Sequence, residues 1–285
     1  MWKLKKPSLQ EAKNDIDIAF PKTVKDGHDT SLLKVKEKNE LKALYDEYDA
    51  HKGRPLPASV KRVCTSKAND IKKKYASIQK GKNLFYIRQS LFKGVAYCPY
   101  CSITEPLQLD HYMPESQYPV LAINRQNLVP LCPYCNNTKK AKDYKKFIHP
   151  YYDEFPRTEF FIIKTNIVHN QLSFEYELDD VPFIGNEETL QRIKNQWKEL
   201  KLTEQWDKAI NQFIFSFFPN DICNGTDEAL KIYLNDRYLQ YKCKYGLNDW
   251  RTALLRSLKD NPNFTTGVLK NSLNTLTIRE NEVLI

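Results

Sequence analysis

Hydrophobic and polar positions in the first third of the chain follow the spacing of amphipathic helices. Apolar residues recur loosely at helical spacing over residues 32–50, and the segment 54–57, which holds two prolines, then interrupts the pattern. Ser59 is a candidate N-cap for a basic helix that follows, and another helix is predicted over residues 84–92. Residues 1–30 are polar and poorly patterned, so we expect a loosely packed arm there.

The remainder of the chain changes from strand to helix patterns. Segments 159–164 and 172–178 are rich in β-branched and aromatic residues and predict the two strands of a hairpin. Asn186 is a favourable N-cap for a helix whose first turn carries two glutamates. Further helices are predicted over residues 203–217, 226–245 and 247–259, and no clear pattern follows Asn261. The whole pattern predicts a mainly helical protein with a small β element in the middle.

Length and composition limit the class of protein. A chain of 285 residues can form one large domain or two modest ones, and a hydrophobic fraction of 41% argues against global disorder. No apolar run approaches the roughly 18 residues that span a bilayer. The basic N-terminus is not followed by the apolar segment of a secretory signal. We therefore expect a soluble, cytoplasmic protein without a membrane partner.

The positive charge is concentrated in one segment. The formal net charge is +9, and residues 60–93 carry ten Lys or Arg against a single acid, Asp70. Lysine and arginine therefore balance aspartate and glutamate over the rest of the chain. Such a block suits a polyanion, because each neutralised phosphate releases condensed counterions. The alternative is a solvated, lysine-rich helix face, which the charge alone does not exclude.

The cysteines point to a metal site. The chain has seven cysteines, and an odd number without a signal peptide argues against a disulfide framework. Four of them form two CxxC pairs with 30 residues between them: Cys98, Cys101, Cys132 and Cys135. Four thiolates are the tetrahedral, soft ligand set that zinc prefers, and a closed site of this kind is structural. Cys64, Cys223 and Cys243 are interpreted as ordinary thiols.

Candidate chemistry lies between the two cysteine pairs. Hydrolysis of a phosphodiester needs a base for water and a divalent cation to neutralise charge on the phosphate. The adjacent residues Asp110 and His111 supply both types of group. On a regular strand they would point to opposite faces, so both can serve one site only if the local backbone bends.

These residues resemble a known family. The pattern of CxxC, Asp-His-x-x-Pro, Asn-Leu and Leu-Cys-x-x-Cys-Asn with a nearby Lys is similar to the cysteine-framed form of the HNH nucleases, which have a ββα-metal fold. In this chain it reads Cys98/Cys101, Asp110-His111-Tyr112-Met113-Pro114, Asn127-Leu128 and Leu131-Cys132-Pro133-Tyr134-Cys135-Asn136, with Lys139 nearby. The resemblance implies a mainly α protein with a small central ββα-metal module held by a Cys₄ zinc site.

The resemblance also implies a role for each motif residue. His111 would be the general base, and Asp110 and Asn136 would hold a catalytic Mg²⁺ or Mn²⁺ through oxygen atoms. Asn127 would hydrogen-bond across the loop between the two strands, and so hold His111 in place. Asn137 competes with Asn136 for the last position of the motif. The two strands would contain residues 110–111 and 128–131, and a helix would run over residues 136–147.

Lysines follow the motif, and one further histidine lies close to it. Lys139, Lys140 and Lys142 are candidates to bind flanking phosphates of the nucleic acid, although an exposed solubilising face is the alternative. His149 is interpreted as a structural histidine. His28, His51 and His169 have no companions at ligand spacing, and most aromatic residues are assigned to the core.

Three functions remain open at this stage. The first is a metal-dependent endonuclease, with DNA favoured because the HNH family mostly cuts DNA. The second is a nuclease with the same site that cuts RNA, such as tRNA, and the third is a non-catalytic zinc-ribbon module that binds nucleic acid. Residues 110–119 also resemble HNH proteins of bacterial anti-phage systems of the Septu and retron type, which act beside a separate ABC-type ATPase. That resemblance implies an ATPase partner and weak activity of the isolated chain.

The expected domain organisation has three parts. Residues 1–94 would form a basic helical region, residues 95–150 the nuclease module with its zinc knuckles, and residues 151–285 a β-hairpin with a helical region. The last region would be the docking surface for an ATPase partner.

Overall fold

Helices make up most of the regular structure. The computed structural model describes residues 3–168, 171–219, 222 and 225–265. The helices are α1 (Leu9–Ala19), α2 (Val35–Ala50), α3 (Pro57–Arg62), α4 (Ala68–Lys73), α5 (Phe85–Phe92), α6 (Pro133–Lys139), α7 (Glu187–Glu199), α8 (Leu202–Phe217), α9 (Asp227–Tyr245), α10 (Trp250–Asp260) and α11 (Pro262–Thr265). Within these residues, antiparallel pairs join β1 (Val24–Lys25) to β2 (His28–Asp29), β3 (Gln108–His111) to β4 (Leu128–Leu131), and β5 (Phe161–Val168) to β6 (Gln171–Leu178).

Residues 9–20 are packed, so the expectation of a loose arm over residues 1–30 was wrong for this part, whereas residues 21–30 are exposed. Ser8 caps α1 by accepting a hydrogen bond from the backbone N–H of Glu11. Ala12, Ile16 and Ala19 lie one helical turn apart and are fully buried. Helix α1 packs against α2, and its small apolar face closes one side of the core.

A buried ion pair fixes α1 to the loop that precedes β4. The Arg125 guanidinium donates from Nε to Asp15 Oδ2 at 2.7 Å and from Nη2 to Asp15 Oδ1 at 2.8 Å. The Tyr86 hydroxyl of α5 donates to the same Asp15 carboxylate at 2.7 Å, and Arg125 also contacts Glu11. This bidentate ion pair, together with the Tyr86 hydrogen bond, joins α1, α5 and the 122–127 segment.

The basic segment is broken into short pieces instead of forming one helix. Helix α3 begins at Pro57 after Leu56, so Ser59 lies inside the helix and is not its N-cap. Cys64 then takes a left-handed conformation with φ 45°. Helix α4 continues into a 3₁₀ turn at Lys74–Ile78, which precedes α5. Ile71 and Ile78 are fully buried, and of the three lysines between them Lys73 is exposed while Lys72 and Lys74 are partly buried.

The C-terminal half packs around an aromatic cluster beside the β5–β6 hairpin. The Phe161 ring lies 4.8 Å from the Trp206 ring, and the Trp197 and Trp206 rings lie 5.0 Å apart, centroid to centroid. The Tyr176 hydroxyl donates to Asp207 at 2.6 Å. These rings fill the core between β5–β6, α7 and α8, as the sequence predicted for most aromatic residues.

The predicted fold class is confirmed, because the chain is mainly helical with a small central β-hairpin beside four buried cysteines. The boundaries 1–94, 95–150 and 151–285 remain a prediction. No helix in the described part of the chain is long and apolar enough to cross a membrane.

The buried ion pair leads to a stability prediction. Replacement of Arg125 by Met should lower the free energy of unfolding by about 3–5 kcal/mol, because Asp15 would remain buried without its partner. Glu11→Ala is the matched control, since Glu11 is 60% exposed and its pairing should be worth less than about 1 kcal/mol. Urea unfolding of both variants measures the difference, and equal losses would contradict the assignment.

Candidate functional site

The four motif cysteines converge on one point. Their sulfur atoms all lie within 4.8 Å of one another, and Cys101 Sγ lies 3.8 Å from Cys132 Sγ. A tetrahedral zinc ion with bonds of about 2.3 Å separates its sulfur ligands by about 3.8 Å. All four cysteines are buried. The sulfur geometry therefore fits a closed zinc site.

Two backbone knuckles present these sulfurs. In the first, Ser102 takes a left-handed conformation with φ 58°, and its N–H donates to the Cys98 carbonyl at 2.9 Å. In the second, Cys132 is the N-cap residue of α6, and its sulfur accepts from the backbone N–H of Cys135. The second knuckle therefore also starts the helix that completes the ββα arrangement.

Strands β3 and β4 pair so that Asp110 lies opposite Val129 and His111 opposite Leu128. Strand β3 ends at His111, and the chain then turns through a loop that returns at Asn127. Asp110 and His111 both line one open cleft of about 540 Å³. Both can do so because the extended backbone ends at His111.

Asn127 holds this loop from the inside. Its side-chain Oδ1 accepts from the backbone N–H of Met113 at 2.8 Å, and its Nδ2 donates to the Met113 carbonyl at 3.1 Å. Nδ2 also reaches the Leu121 carbonyl at 3.4 Å. Asn127 is fully buried and clamps the chain two residues after His111.

His111 is held in a defined tautomer. Its Nε2 lies 3.0 Å from the Ala122 carbonyl oxygen, which can only accept, so Nε2 carries the proton and Nδ1 is the basic atom. The Tyr75 ring lies 4.5 Å from the imidazole, centroid to centroid, and the side chain is only 10% exposed. Burial lowers the pKa of His111 to about 4, although the Ala122 contact opposes the shift. The imidazole is therefore neutral at pH 7.

Asp110 forms a buried ion pair with Lys139. The Lys139 ammonium lies 2.8 Å from Asp110 Oδ2, and it donates to the carbonyl oxygens of His111 and Tyr112. Burial raises the pKa of Asp110 to about 6, against the lowering effect of Lys139. The ammonium thus stabilises both the carboxylate and the backbone around the candidate base.

Asn136 is placed beside β3 by the first turns of α6. Its Nδ2 donates to Gln108 Oε1 at 2.6 Å, so its side-chain oxygen is the atom that it can offer to a cation. Asn136 and Asn137 both line the cleft with Asp110. The competition between the two asparagines therefore stays open.

The opposite side of the cleft comes from the basic segment. We call residues 68–92 the basic wall. It contributes Tyr75, Gln79 and Arg88 to the lining of the cleft. The Tyr75 hydroxyl donates to the Leu109 carbonyl at 3.0 Å, and Arg88 donates to the Leu107 carbonyl at 2.6 Å. The basic wall is thus hydrogen-bonded to β3 and to the residue that precedes it.

Comparison with known proteins identifies this region. A family model described as HNH endonuclease matches residues 98–142. Residues 98–142 form an HNH endonuclease domain.

Two curated proteins are similar to the chain. An alignment of 206 residues with protein ea31 of Escherichia phage lambda shows 26% identity and covers 64% of this chain and 68% of that protein. A shorter alignment of 54 residues with Septu protein PtuB of Bacillus thuringiensis shows 35% identity and covers 17% of this chain. The second match covers only 21% of PtuB. No solved structure matches the chain.

The structure corrects the expectations for the helix that follows the HNH motif. Helix α6 begins at Pro133 and ends at Lys139, and a separate 3₁₀ turn forms at Tyr144–Lys146, so the continuous helix over residues 136–147 was wrong. Lys140 interrupts the helix with φ 46°.

The three candidate lysines differ in accessibility. Lys139 has 0% exposure and is engaged with Asp110, so it cannot bind flanking phosphates from the surface. Lys142 is paired with Glu199 of α7 at 2.8 Å, which directs it towards the C-terminal helices. Lys140 is exposed and lines the cleft. Of the three, Lys140 retains the position expected of a phosphate contact.

Several residues of the cleft were missed at the level of sequence. Gln108 could have been found, because it lies two positions before Asp110 and therefore on the same strand face. Tyr75 and Arg88 come from a distant segment, and no local pattern connects them to the motif. Glu115, which follows the motif proline, lies with Oε2 3.7 Å from His111 Nε2.

Three further residues that the sequence singled out, Cys64, Cys243 and His149, do not line the cleft. Cys64 is buried, and its thiol donates to the Glu37 carbonyl, whereas Cys243 is exposed. His149 is fully buried. Cys223 and His169 lie outside the described residues.

Helices of the C-terminal half cover the first zinc knuckle. The Trp206 indole donates to the Cys101 carbonyl at 3.0 Å, and the Trp250 indole donates to the Ser102 carbonyl at 3.0 Å. The Arg251 guanidinium donates two further hydrogen bonds to the Ser102 carbonyl. These donors hold α8 and α10 onto the knuckle.

The knuckle contacts make the zinc site testable by spectroscopy. Cys101→Ser should lose the bound metal and the cooperative unfolding transition, and the near-ultraviolet circular dichroism of the tryptophans should collapse. The reason is that Trp206 and Trp250 donate to the knuckle backbone. Cys243→Ser, at an exposed cysteine, is the control and should retain one zinc ion per chain. Loss of zinc with an unchanged tryptophan signal would contradict this packing.

Proposed function

We propose that the chain is a metal-dependent endonuclease that hydrolyses phosphodiester bonds of nucleic acid in the cleft of its HNH domain. The observation that carries the proposal is the convergence of neutral His111, Asp110 and Asn136 on one open cleft. The match of residues 98–142 to the HNH endonuclease family supports the reaction class.

His111 is the proposed general base. With the proton on Nε2 held by the Ala122 carbonyl, Nδ1 has the lone pair that accepts a proton from the attacking water. The low pKa of His111 keeps this lone pair free at neutral pH. Asn127 keeps the ring in place through its two contacts with Met113.

Asp110 and Asn136 are the proposed holders of a divalent cation. They offer the carboxylate and amide oxygens that Mg²⁺ and Mn²⁺ prefer, and the cleft is open enough to admit water and phosphate. Such a cation would neutralise charge on the phosphate when bound. Lys139 holds the Asp110 carboxylate in position. The Cys₄ set is proposed to hold zinc with a structural role only.

DNA is the favoured substrate, and RNA is the alternative for the same site. The site would bind the sugar–phosphate backbone of the nucleic acid. No contact among the described residues distinguishes deoxyribose from ribose. The resemblance of residues 110–119 to HNH proteins of Septu and retron systems implies a role in bacterial anti-phage defence, in the cytoplasm and beside an ATPase partner. The match to Septu protein PtuB over 54 residues supports the defence role alone. The remaining alternative is a zinc module that binds nucleic acid without cutting it.

A cutting assay separates these functions. Wild type, His111→Ala and the control His28→Ala, at an exposed histidine of β2, should be incubated with supercoiled plasmid, single-stranded DNA and total RNA. Mg²⁺, Mn²⁺ and EDTA should be compared, and zinc content checked for each protein. We expect metal-dependent cutting that falls by at least about a hundredfold in His111→Ala, because loss of a general base removes that much rate.

The outcomes separate the alternatives. The substrate that is cut distinguishes DNA from RNA, and strong cutting by the chain alone would contradict an obligatory ATPase partner. If wild type and both variants bind nucleic acid but none of them cuts it, even in a lysate of the native host, the non-catalytic zinc module is the remaining function. Undiminished cutting by His111→Ala would contradict its role as base.

A further inference from the structure

The cleft of the HNH domain continues into a second depression. A neighbouring hollow of about 590 Å³ shares Tyr75, Gln79 and Glu115 with the lining of the cleft. Lys72 and Lys73 of α4 line its far side. The two depressions therefore adjoin, and we call them together the groove, which extends from His111 along the basic wall.

The charge of this groove is mainly positive. Lys73 and Lys140 are exposed, and the Lys72 side chain is 41% exposed. Arg88 adds a guanidinium to the cleft end of the groove. The accessible acid is Glu115, which lies 4.0 Å from Lys72, while Asp110 is buried against Lys139.

The basic wall is hydrogen-bonded to β3, so the backbone that carries its lysines has a fixed position relative to His111. Ile71 and Ile78 anchor the wall in the core on either side of the exposed lysines. The Tyr75 hydroxyl connects the wall to the Leu109 carbonyl, one residue before Asp110. Helix α4 also packs against the 3₁₀ turn Pro119–Leu121 within the HNH domain.

We propose that this groove binds the sugar–phosphate backbone of the nucleic acid, with Lys72 and Lys73 on phosphates that flank the bond at His111. The inference rests on the proposed nuclease function and deepens it. Contacts of lysine with phosphate carry no sequence information, so binding along the groove is independent of sequence and strongly dependent on salt.

The test measures binding without cutting. In the His111→Ala background, the variant Lys72→Ala/Lys73→Ala is compared with Lys208→Ala/Lys231→Ala, which removes two exposed charges from α8 and α9. Fluorescence anisotropy with a labelled duplex DNA, its single strand and the matching RNA gives log K against log salt. The groove variant should lose about 0.9 from the magnitude of the slope for each duplex phosphate contact, or about 0.7 for a single strand.

The measurements distinguish a failure of the groove inference from a failure of the proposed nuclease function. If the parent binds and the groove variant has the affinity and slope of the control, the inference is wrong while the nuclease proposal stands. If the parent binds no nucleic acid and wild type cuts none, the proposed function itself fails. Circular dichroism of each variant verifies that folding is unchanged.

A second inference rests on a buried hydrogen-bond chain outside the cleft. The Tyr48 hydroxyl of α2 donates to Asn127 Oδ1 at 3.0 Å and lies 3.1 Å from His149 Nε2. Because Tyr48 gives its single proton to Asn127, the His149 Nε2–H is the donor to the hydroxyl oxygen. His149 Nδ1 then accepts from the Tyr151 N–H. Tyr48, Asn127 and His149 are all fully buried.

The turn after α2 is shaped to fit this chain. Gly53 has φ +79°, and a Cβ at this position would lie 2.4 Å from His149 Cδ2. The backbone therefore approaches the imidazole more closely than any other residue would allow. This contact sets the end of α2, and hence Tyr48, against His149, which follows the HNH domain in the chain.

We infer that Tyr48 is a positioning residue for the nuclease site, acting through Asn127 on the loop that carries His111. The inference also rests on the proposed nuclease function. The tyrosine hydroxyl supplies the second hydrogen bond to the same Asn127 oxygen that holds the Met113 N–H. Without the hydroxyl, Asn127 loses its contact with α2 and the loop gains freedom.

The variant Tyr48→Phe tests this role, because it removes only the hydroxyl. We expect kcat to fall on the order of tenfold with KM unchanged, less than the roughly hundredfold that a misplacement of 1 Å costs. Tyr152→Phe is the matched control, since its hydroxyl bonds Asp49 in the same ring cluster and does not contact Asn127. Equal losses of stability in both variants with kcat retained in Tyr48→Phe would overturn the inference. A wild type that stays inactive even in a lysate of the native host would refute the nuclease function instead.

Discussion

The convergence of four sulfur atoms on one point is the constraint on which the rest of this structure depends. It joins the segment before β3 to the start of α6, and so brings Asp110 and Asn136 to the same cleft although 26 positions separate them in sequence. The backbone carbonyls of the first knuckle, at Cys101 and Ser102, accept hydrogen bonds from three side chains of the C-terminal helices, Trp206, Trp250 and Arg251. A single cluster of four cysteines, arranged as in a closed zinc site, thus positions the candidate chemistry and also attaches the C-terminal helices.

Burial controls the electrostatics of the site. Burial lowers the pKa of His111, because the charged imidazolium is disfavoured away from water, so the imidazole is neutral at pH 7. It also raises the pKa of Asp110, and the buried Lys139 ammonium opposes that shift. The cleft therefore combines a neutral imidazole with a carboxylate that is held by an internal cation. Exposed positive charge lies on Lys140 at the cleft and on the lysines of the basic wall, where a polyanion can reach it.

The parts that sequence could predict are those encoded by local spacing. The two CxxC pairs, the two central strands and most helices follow from short-range patterns. Helix α1 was missed because its buried face is small and includes Asp15, a charge that only Arg125, 110 positions away, can compensate. Lys139 was expected on the surface for the same reason, since its partner Asp110 lies on another element. Long-range pairing of charges has no local signature in a single sequence.

The central claim is that Asp110, Asn136 and His111 form one metal-dependent site for a phosphodiester. The most direct measurement is a crystal structure of His111→Ala with a DNA oligonucleotide and Mn²⁺, located by its anomalous signal. The account predicts an Mn²⁺ ion bound by Asp110 and Asn136, with a phosphate between it and position 111. Nucleic acid bound away from the cleft, or Mn²⁺ held by other residues, would contradict the account.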